Sequence, residues 1–432
     1  MDHGERSANP QQPRNPAESP RLSRRAVLRG AALGGLAGFL AACGSTATPA
    51  PSAEATAVTS HAATPPPSGA SSAEPSLPPP ASPTPSTVPV ISLAHKIAGL
   101  MVVGFRGSRL ADAPWVAAAL ARSGLAGVIL FDRDQLTGAD RNILTPTQVK
   151  RLTADLRAAA GRRLVVSVDQ EGGIVTRLGP KWGYPTVASE ATIGSAGGAA
   201  TRTWAALIAT TLASNGFNLN FAPVVDLDVN PDSPAIGALD RSFSANPDVV
   251  VAKAMIEIDA HRAAGVRTTL KHFPGIGSST TNTDFGVADV TETWTAKELE
   301  PFRQLIAAHH ADLVMAGHVV NGQFDADHPA SLSPTIVSHV LRGQLGWDGI
   351  VVTDDLQAAA ITSAFGRDEA VLLALEAGND LLLFANQQVY EPGVVARVVR
   401  IVSAAVRSGR IAENRIDDAY GRVQALFGGA AG

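Results

Sequence analysis

Three places along this 432-residue chain set acids or bases where an apolar run stops, and a fourth holds an isolated acid. Asp354-Asp355 follows Gly349-Ile-Val-Val-Thr353, and Asp169 follows Leu164-Val-Val-Ser-Val168 and precedes Gln170-Glu-Gly-Gly-Ile-Val-Thr-Arg177. Lys271-His272 follows Val266-Arg-Thr-Thr-Leu270 and opens the stretch KHFPGIGSSTTNTDFG, whose single carboxylate is Asp284. A carboxylate at such a point can cap the first turn of a following helix. It can also attack the anomeric carbon of a sugar and form a covalent intermediate. Two adjacent acids at 354 and 355 allow both, one capping and one facing a ligand. Asp169 and Arg177 can bracket a polyhydroxylated ligand across the flexible Gly172-Gly173 pair, or pair with each other and only pin the loop.

His272 and His318 also stand at run ends and raise the question of a metal. A metal-dependent barrel hydrolase of the amidohydrolase kind would carry His-x-His on its first strand and an aspartate on its eighth. This chain has MVVGF and LLLFANQQ there, so neither metal nor cofactor is expected. No G-x-S-x-G, phosphate-loop or zinc–cysteine pattern occurs. His261 and His309-His310 fall on predicted helices and receive no functional role.

The elements that must position these groups are legible from residue 91 onward. Eight short apolar runs lie within 99–106, 126–132, 163–169, 219–226, 266–274, 311–319, 349–354 and 380–385. Continuous rather than alternating apolarity marks parallel strands buried on both faces. Between them, stretches such as 146–160, 200–215, 249–264 and 297–309 show helical spacing. Eight alternating units without a dinucleotide-type glycine fingerprint predict a (β/α)8 barrel in a single catalytic domain, with a doubly wound sheet as the second choice. In such barrels the chemistry sits at the C-terminal strand ends. Here those ends read Arg106, Asp132, Asp169 with Glu171, Asp226 with Asp228, Lys271-His272, His318 and Asp354-Asp355.

The first 90 residues are different in kind. A basic segment with Ser23-Arg24-Arg25 precedes an apolar run of small residues from Gly30, closed by Leu40-Ala-Ala-Cys43. The run is too short for a membrane-crossing helix, which needs about 20 residues. It reads as a signal peptide over 1–43 with a twin-arginine-like motif, and Leu40–Cys43 resembles a bacterial lipobox. Cys43, the only cysteine, is then a lipidation site rather than a buried thiol. Residues 44–89, rich in Pro, Ala, Ser and Thr, read as a disordered tether, and 90–432 as the folded domain. The expected location is the outer face of the cell membrane, through a lipid anchor. A net charge of −4 without a basic stripe argues against a nucleic-acid partner.

Several stretches together resemble glycoside hydrolase family 3, in its β-N-acetylhexosaminidase branch: Asp169-Gln-Glu-Gly-Gly173, Leu219-Asn-Phe-Ala-Pro-Val-Val-Asp226, Asp240-Arg-Ser-Phe243, Lys271-His-Phe-Pro-Gly275, Met315-Ala-Gly-His318 and Gly349-Ile-Val-Val-Thr-Asp-Asp355. The resemblance implies a retaining exo-β-N-acetylglucosaminidase acting on cell-wall-type glycans, with Asp354 as nucleophile. It implies that Asp169, Arg177, Arg241, Lys271 and His272 grip the non-reducing sugar. The chain has no room for the sandwich domain of many members, which suits the single-domain branch, whose acid lies on a mobile loop.

That loop departs from the family pattern. The branch continues KHFPGHG with Asp-Ser-His, the histidine serving as acid and base; here Ile276 replaces the motif's second histidine, and an ungapped count gives Asn282-Thr283-Asp284. A two-residue insertion would instead put Gly286 in the histidine's place and remove the proton donor. The ungapped count is preferred, because retaining glycosidases commonly pair a nucleophilic carboxylate with a protonated carboxyl about 5 Å away. Asp284 is then the catalytic acid and base. The altered loop keeps a rival open, an amino-sugar-binding surface lipoprotein without efficient turnover. A β-glucosidase or a phosphorylase of the same family is the other alternative.

Overall fold

A computed structural model of the protein describes residues 91–282 and 286–427. The signal, tether and Cys43 readings, and Asp284 itself, lie outside the described residues. Within them the eight apolar runs become eight parallel strands: β1 (Met101–Gly104), β2 (Gly127–Ile129), β3 (Val165–Val168), β4 (Leu219–Asn220), β5 (Arg267–Phe273), β6 (Leu313–Ala316), β7 (Ile350–Thr353) and β8 (Leu382–Phe384). Each pairs with its neighbour in sequence, and β8 returns to β1 with Met101 opposite Leu382. The remaining seam, β7 to β8, is a single bridge at Val352 and Leu381, supported by the Thr353 N–H on Leu381 O (3.0 Å) and the Leu383 N–H on Thr353 Oγ1 (3.1 Å). The (β/α)8 barrel is thus all but closed.

The strands are runs of Val, Ile, Leu and Met because both faces are covered, one by the barrel interior and one by the helices. All four residues of β1, β3, β6 and β7 are buried. The helix Pro146–Ala160 shows how the outer layer is cut. Thr145 caps it by accepting the Gln148 N–H, Pro146 takes the first helical position, and Gly161 ends it at φ 61°. Val149, Leu152 and Leu156, spaced three and four apart, face the sheet.

Local departures from the expected elements have physical reasons. The fourth run keeps only Leu219–Asn220 as a continuous strand and rejoins β5 at a single bridge between Val224 and Lys271, because Pro223 has no N–H to donate. The helix expected over 297–309 is a 3-10 turn, Ala296–Leu299, followed by a helix over Glu300–Ala307. His309, at φ 57°, and His310 therefore lie beyond its end, while His261 is a packed helical residue whose Nδ1 lies 2.8 Å from Glu257 O. The helix expected to start at Asp355 starts at Ala359. No helix among the described residues is long and apolar enough to cross a membrane.

Candidate active site

The C-terminal strand ends surround a cavity of about 180 Å3 that brings together Asp169, Arg177, Arg241, Lys271, His272 and Asp354. Glu171, Asn282 and Asp355 line it as well. Of the run-end residues, Arg106 turns away: it pairs with Asp134 at 2.8 Å and lies 4.1 Å over the Tyr390 ring.

Lys271 extends from β5 and is 2% exposed. Its ammonium lies 3.0 Å from Asp169 and 2.7 Å from Glu171. Burial works against that charge, but Glu171 and Asp169 overcome it and hold the ammonium above its ordinary basicity. Arg241 donates to both Glu171 oxygens at 2.8 Å and to Ala235 O at 2.8 Å. Burial alone would protonate Glu171; Arg241 and Lys271 instead hold it ionised, well below the usual carboxylate range. Glu171, named from sequence among the strand ends but not among the site residues, lines the cavity and holds both cations. The signal was present in the DQEGG motif, but three consecutive polar side chains at a strand end do not reveal which will meet two cations.

The Asp169–Arg177 pair considered from sequence does not form. Asp169 serves Lys271, and Arg177 stands 3.9 Å from Asp132, over the Phe131 ring at 5.6 Å. Its Nε is buried without a hydrogen-bond partner among the described residues. Gln170 sets this arm. Its side-chain carbonyl accepts the N–H groups of Arg177 (3.0 Å) and Leu178 (2.9 Å), folding Gln170–Gly172 back on Val175–Thr176.

His272 is fixed by Asp226, which follows β4. One Asp226 oxygen accepts the His272 backbone N–H at 3.0 Å and lies 2.7 Å from Nδ1; the other accepts the Ile276 N–H at 2.9 Å. This places the Nδ1 proton toward Asp226. His318, which follows β6, lies between the Ser331 hydroxyl (2.7 Å from Nδ1) and Asp355 O (2.8 Å from Nε2).

The two adjacent acids after β7 divide their work. Asp355 accepts the N–H groups of Gln357 (3.1 Å) and Ala385 (3.0 Å), so it braces the turn into β8 rather than capping a helix. Asp354 lines the cavity. Its Oδ1 accepts the Asp355 N–H at 2.8 Å, and its own N–H donates to Ala316 O at 3.1 Å. Burial raises its proton affinity, but His318, His272 and Lys271 outweigh that and keep the carboxyl below its ordinary value, ionised at neutral pH. No cation among the described residues forms an ion pair with it. A half-buried carboxylate that is ionised, with positive groups at longer range, has the chemistry of a nucleophile, a general base or an electrostatic anchor.

The sequence model of the glycosyl hydrolase family 3 N-terminal domain matches residues 92–426. The chain belongs to this family. The family 3 chain is 36% identical over 324 residues to a beta-hexosaminidase of Xanthomonas axonopodis pv. citri, covering 72% of this chain and 91% of that protein. Among solved structures it resembles the beta-N-acetylhexosaminidase from Beutenbergia cavernae (TM-score 0.70, 33% identity, 79% of this chain and 99% of that one). It also resembles a family 3 beta-N-acetylglucosaminidase from Paenibacillus sp. (TM-score 0.71, 34% identity), covering 78% of this chain but spanning 62% of that longer one. This family 3 protein is a glycoside hydrolase, and its substrate is a carbohydrate.

Proposed function

We propose that the protein is a retaining exo-β-N-acetylglucosaminidase that releases terminal N-acetylglucosamine through a covalent glycosyl-enzyme on Asp354. The observation that carries the reading is the state of Asp354: half-buried in the cavity wall, ionised, and without an ion pair among the described residues. In the first step an Asp354 oxygen bonds to C1 while the C1–O bond to the leaving group breaks and Asp284 gives its proton to that oxygen. In the second, water gives a proton to Asp284 and bonds to C1, and the ester to Asp354 breaks. Asp169, Arg177, Arg241, Lys271 and His272 hold the sugar. The Lys271 and Arg241 charges are pre-set by Glu171 and Asp169, so binding the sugar requires no reorganisation of them. The preference for a 2-acetamido sugar is supported by the beta-hexosaminidase names of the similar proteins. The cell-wall-type substrate rests on the family branch. Export and anchoring at Cys43 on the outer face of the membrane rest on the sequence signals alone, and loss of lipid labelling in Cys43→Ala tests them.

The deciding experiment compares aryl β-N-acetylglucosaminides with good and poor leaving groups. Asp354→Asn is expected to lose on the order of 10³-fold or more in kcat on both. Asp284→Ala is expected to lose about 10²-fold or more on the poor leaving group and far less on the good one. A mechanism-based fluorosugar should raise the mass of the wild type by one sugar at Asp354. Sugar binding with neither turnover nor labelling would replace hydrolysis by the binding reading. Turnover that requires phosphate would replace it by the phosphorylase.

A further inference from the structure

The segment that follows His272 is held from two sides, and only one of the two holders belongs to the site described above. From inside the barrel, Asp226 takes the Ile276 N–H at 2.9 Å. From outside, Glu298, fully buried on the turn Ala296–Leu299, takes the Ser278 N–H at 3.1 Å. The backbone lies directly on it: a Cβ at Gly275, whose φ is 108°, would stand 2.8 Å from the Glu298 Cβ. Trp294, four residues earlier, donates its indole N–H to Pro274 O at 3.1 Å. Beyond this grip the chain runs through Ser279, whose carbonyl accepts from Asn230 (3.2 Å), to Asn282, which lines the sugar cavity and donates to Pro234 O at 3.3 Å. Glu298 touches no part of that cavity. A carboxyl buried under a loop, its second oxygen without a hydrogen-bond partner among the described residues, is an expensive anchor that an amide or hydroxyl could replace. Its distinctive property is that it titrates.

We infer that Glu298 is a positioning residue that holds the Gly275–Asn282 segment over the sugar cavity in its protonated state and loosens it on ionisation. The reading rests on the hydrolytic function proposed above. The charged group facing Glu298 across the loop is Asp226, a carboxylate that already serves His272 and Ile276. On its own turn, Lys297 is exposed, and Arg303 on the following helix is engaged by Glu300 at 2.5 Å, so neither cation neutralises it. Burial is the main reason that Glu298 holds its proton up to about 7; the Ser278 groups pull the other way and Asp226 adds to the rise. Below that pH the neutral carboxyl accepts the Ser278 N–H without competing with Asp226. Above it, two negative charges face each other through the loop in a dry interior, and the segment is released.

The test reads the loop and the catalysis separately. Hydrogen exchange of peptides covering 275–282, corrected for intrinsic rates, is followed from pH 5.5 to 8.5 in the full chain and in Glu298→Gln and Glu298→Ala. In the wild type, protection should fall at least fivefold with a midpoint near 7. In Glu298→Gln, whose carbonyl still accepts the Ser278 N–H, it should stay flat and high; in Glu298→Ala, flat and low. In parallel, kcat/KM on the aryl N-acetylglucosaminide should have an alkaline limb that moves up by at least one pH unit in Glu298→Gln, with KM little changed. Protection independent of pH in the wild type, or the same midpoint in Glu298→Gln, would overturn the inference. A wild type that turns over no substrate but shows the exchange midpoint would overturn the hydrolytic reading and leave Glu298 standing.

Discussion

Glu171 shows how much of the cavity wall depends on one carboxylate that holds two cations. It stands between Lys271 and Arg241, both of which line the sugar cavity, and it is almost wholly buried. Substituting Glu171→Gln leaves two buried cations with Asp169 as the remaining acid near Lys271. Breaking a buried pair by removing one partner costs about 3–5 kcal/mol, and displacing Lys271 and Arg241 from the sugar-gripping role proposed for them costs about 10²-fold in kcat/KM. Urea unfolding and steady-state kinetics of this variant should show both losses together. The native charge also sets a pH limit. Because its folded value is depressed, Glu171 contributes stability that is full above its ordinary value of 4.5 and is lost as pH falls below it. At this scale the sequence was informative about which residues converge, since Asp169, Arg177, Arg241, Lys271, His272 and Asp354 all reach one cavity. It was silent on pairing: Asp169 meets Lys271 rather than Arg177, because Gln170 folds the arm that carries Arg177 away from it.

That arm is a matter of local backbone. Gly172 has φ 108°, and a Cβ there would stand 2.2 Å from Ala188 O, while Gly173 at φ 56° follows directly. Gly172→Ala therefore faces a left-handed backbone and a clash with a carbonyl that no rotamer can relieve. It should cost more than about 1 kcal/mol of stability and raise KM more than it lowers kcat, since Arg177 shifts while Asp354, just after β7, stays in place; thermal melts and kinetics check the two effects. The strands were legible because burial on both faces writes itself as uninterrupted apolar runs. The helix 146–160 was legible to the residue because Thr145, Pro146 and Gly161 mark its ends. Where such punctuation is missing, the expected bounds slid. Asp355 was read as the start of a helix, but its carboxylate is committed to Gln357 and Ala385, and the helix waits until Ala359.

Across the whole molecule, buried acids of opposite habit determine the pH at which the barrel is most stable. Glu190 and Glu257 are buried and raised well above 4.5, each chiefly by burial: Glu190 next by the Glu257 charge, Glu257 next by that of Glu171. Glu298 is raised to about 7. Each keeps its proton in the folded chain at pH values where the unfolded chain has released it. Each therefore contributes stability that is full below 4.5 and is lost as pH rises toward its folded value, at about 1.4 kcal/mol per pH unit. His261 runs the other way. Burial lowers it to about 4, so between 4 and 6.5 the unfolded chain binds its proton first and stability rises with pH. Asp134 is held at about 2 although burial opposes it, because Arg106 and Thr137 outweigh that burial, and its contribution is lost as pH falls from 3.8 toward 2. Three carboxyls against two imidazoles, His261 and the likewise lowered His95, leave a net decline above pH 4.5, and Asp134 and Glu171 impose the decline below it. The melting temperature should therefore peak near pH 5 rather than near 7. Glu257→Gln, which keeps the shape and removes one titrating proton, should flatten the alkaline slope by about 1.4 kcal/mol per pH unit, measured as urea unfolding free energy at pH 5, 6 and 7. A wild-type profile that rises from pH 5 to 7 would mean that Glu190 and Glu257 are ionised in the folded chain. They would then need a compensating charge, of which the described residues near Glu257 offer Lys271, already shared between Asp169 and Glu171.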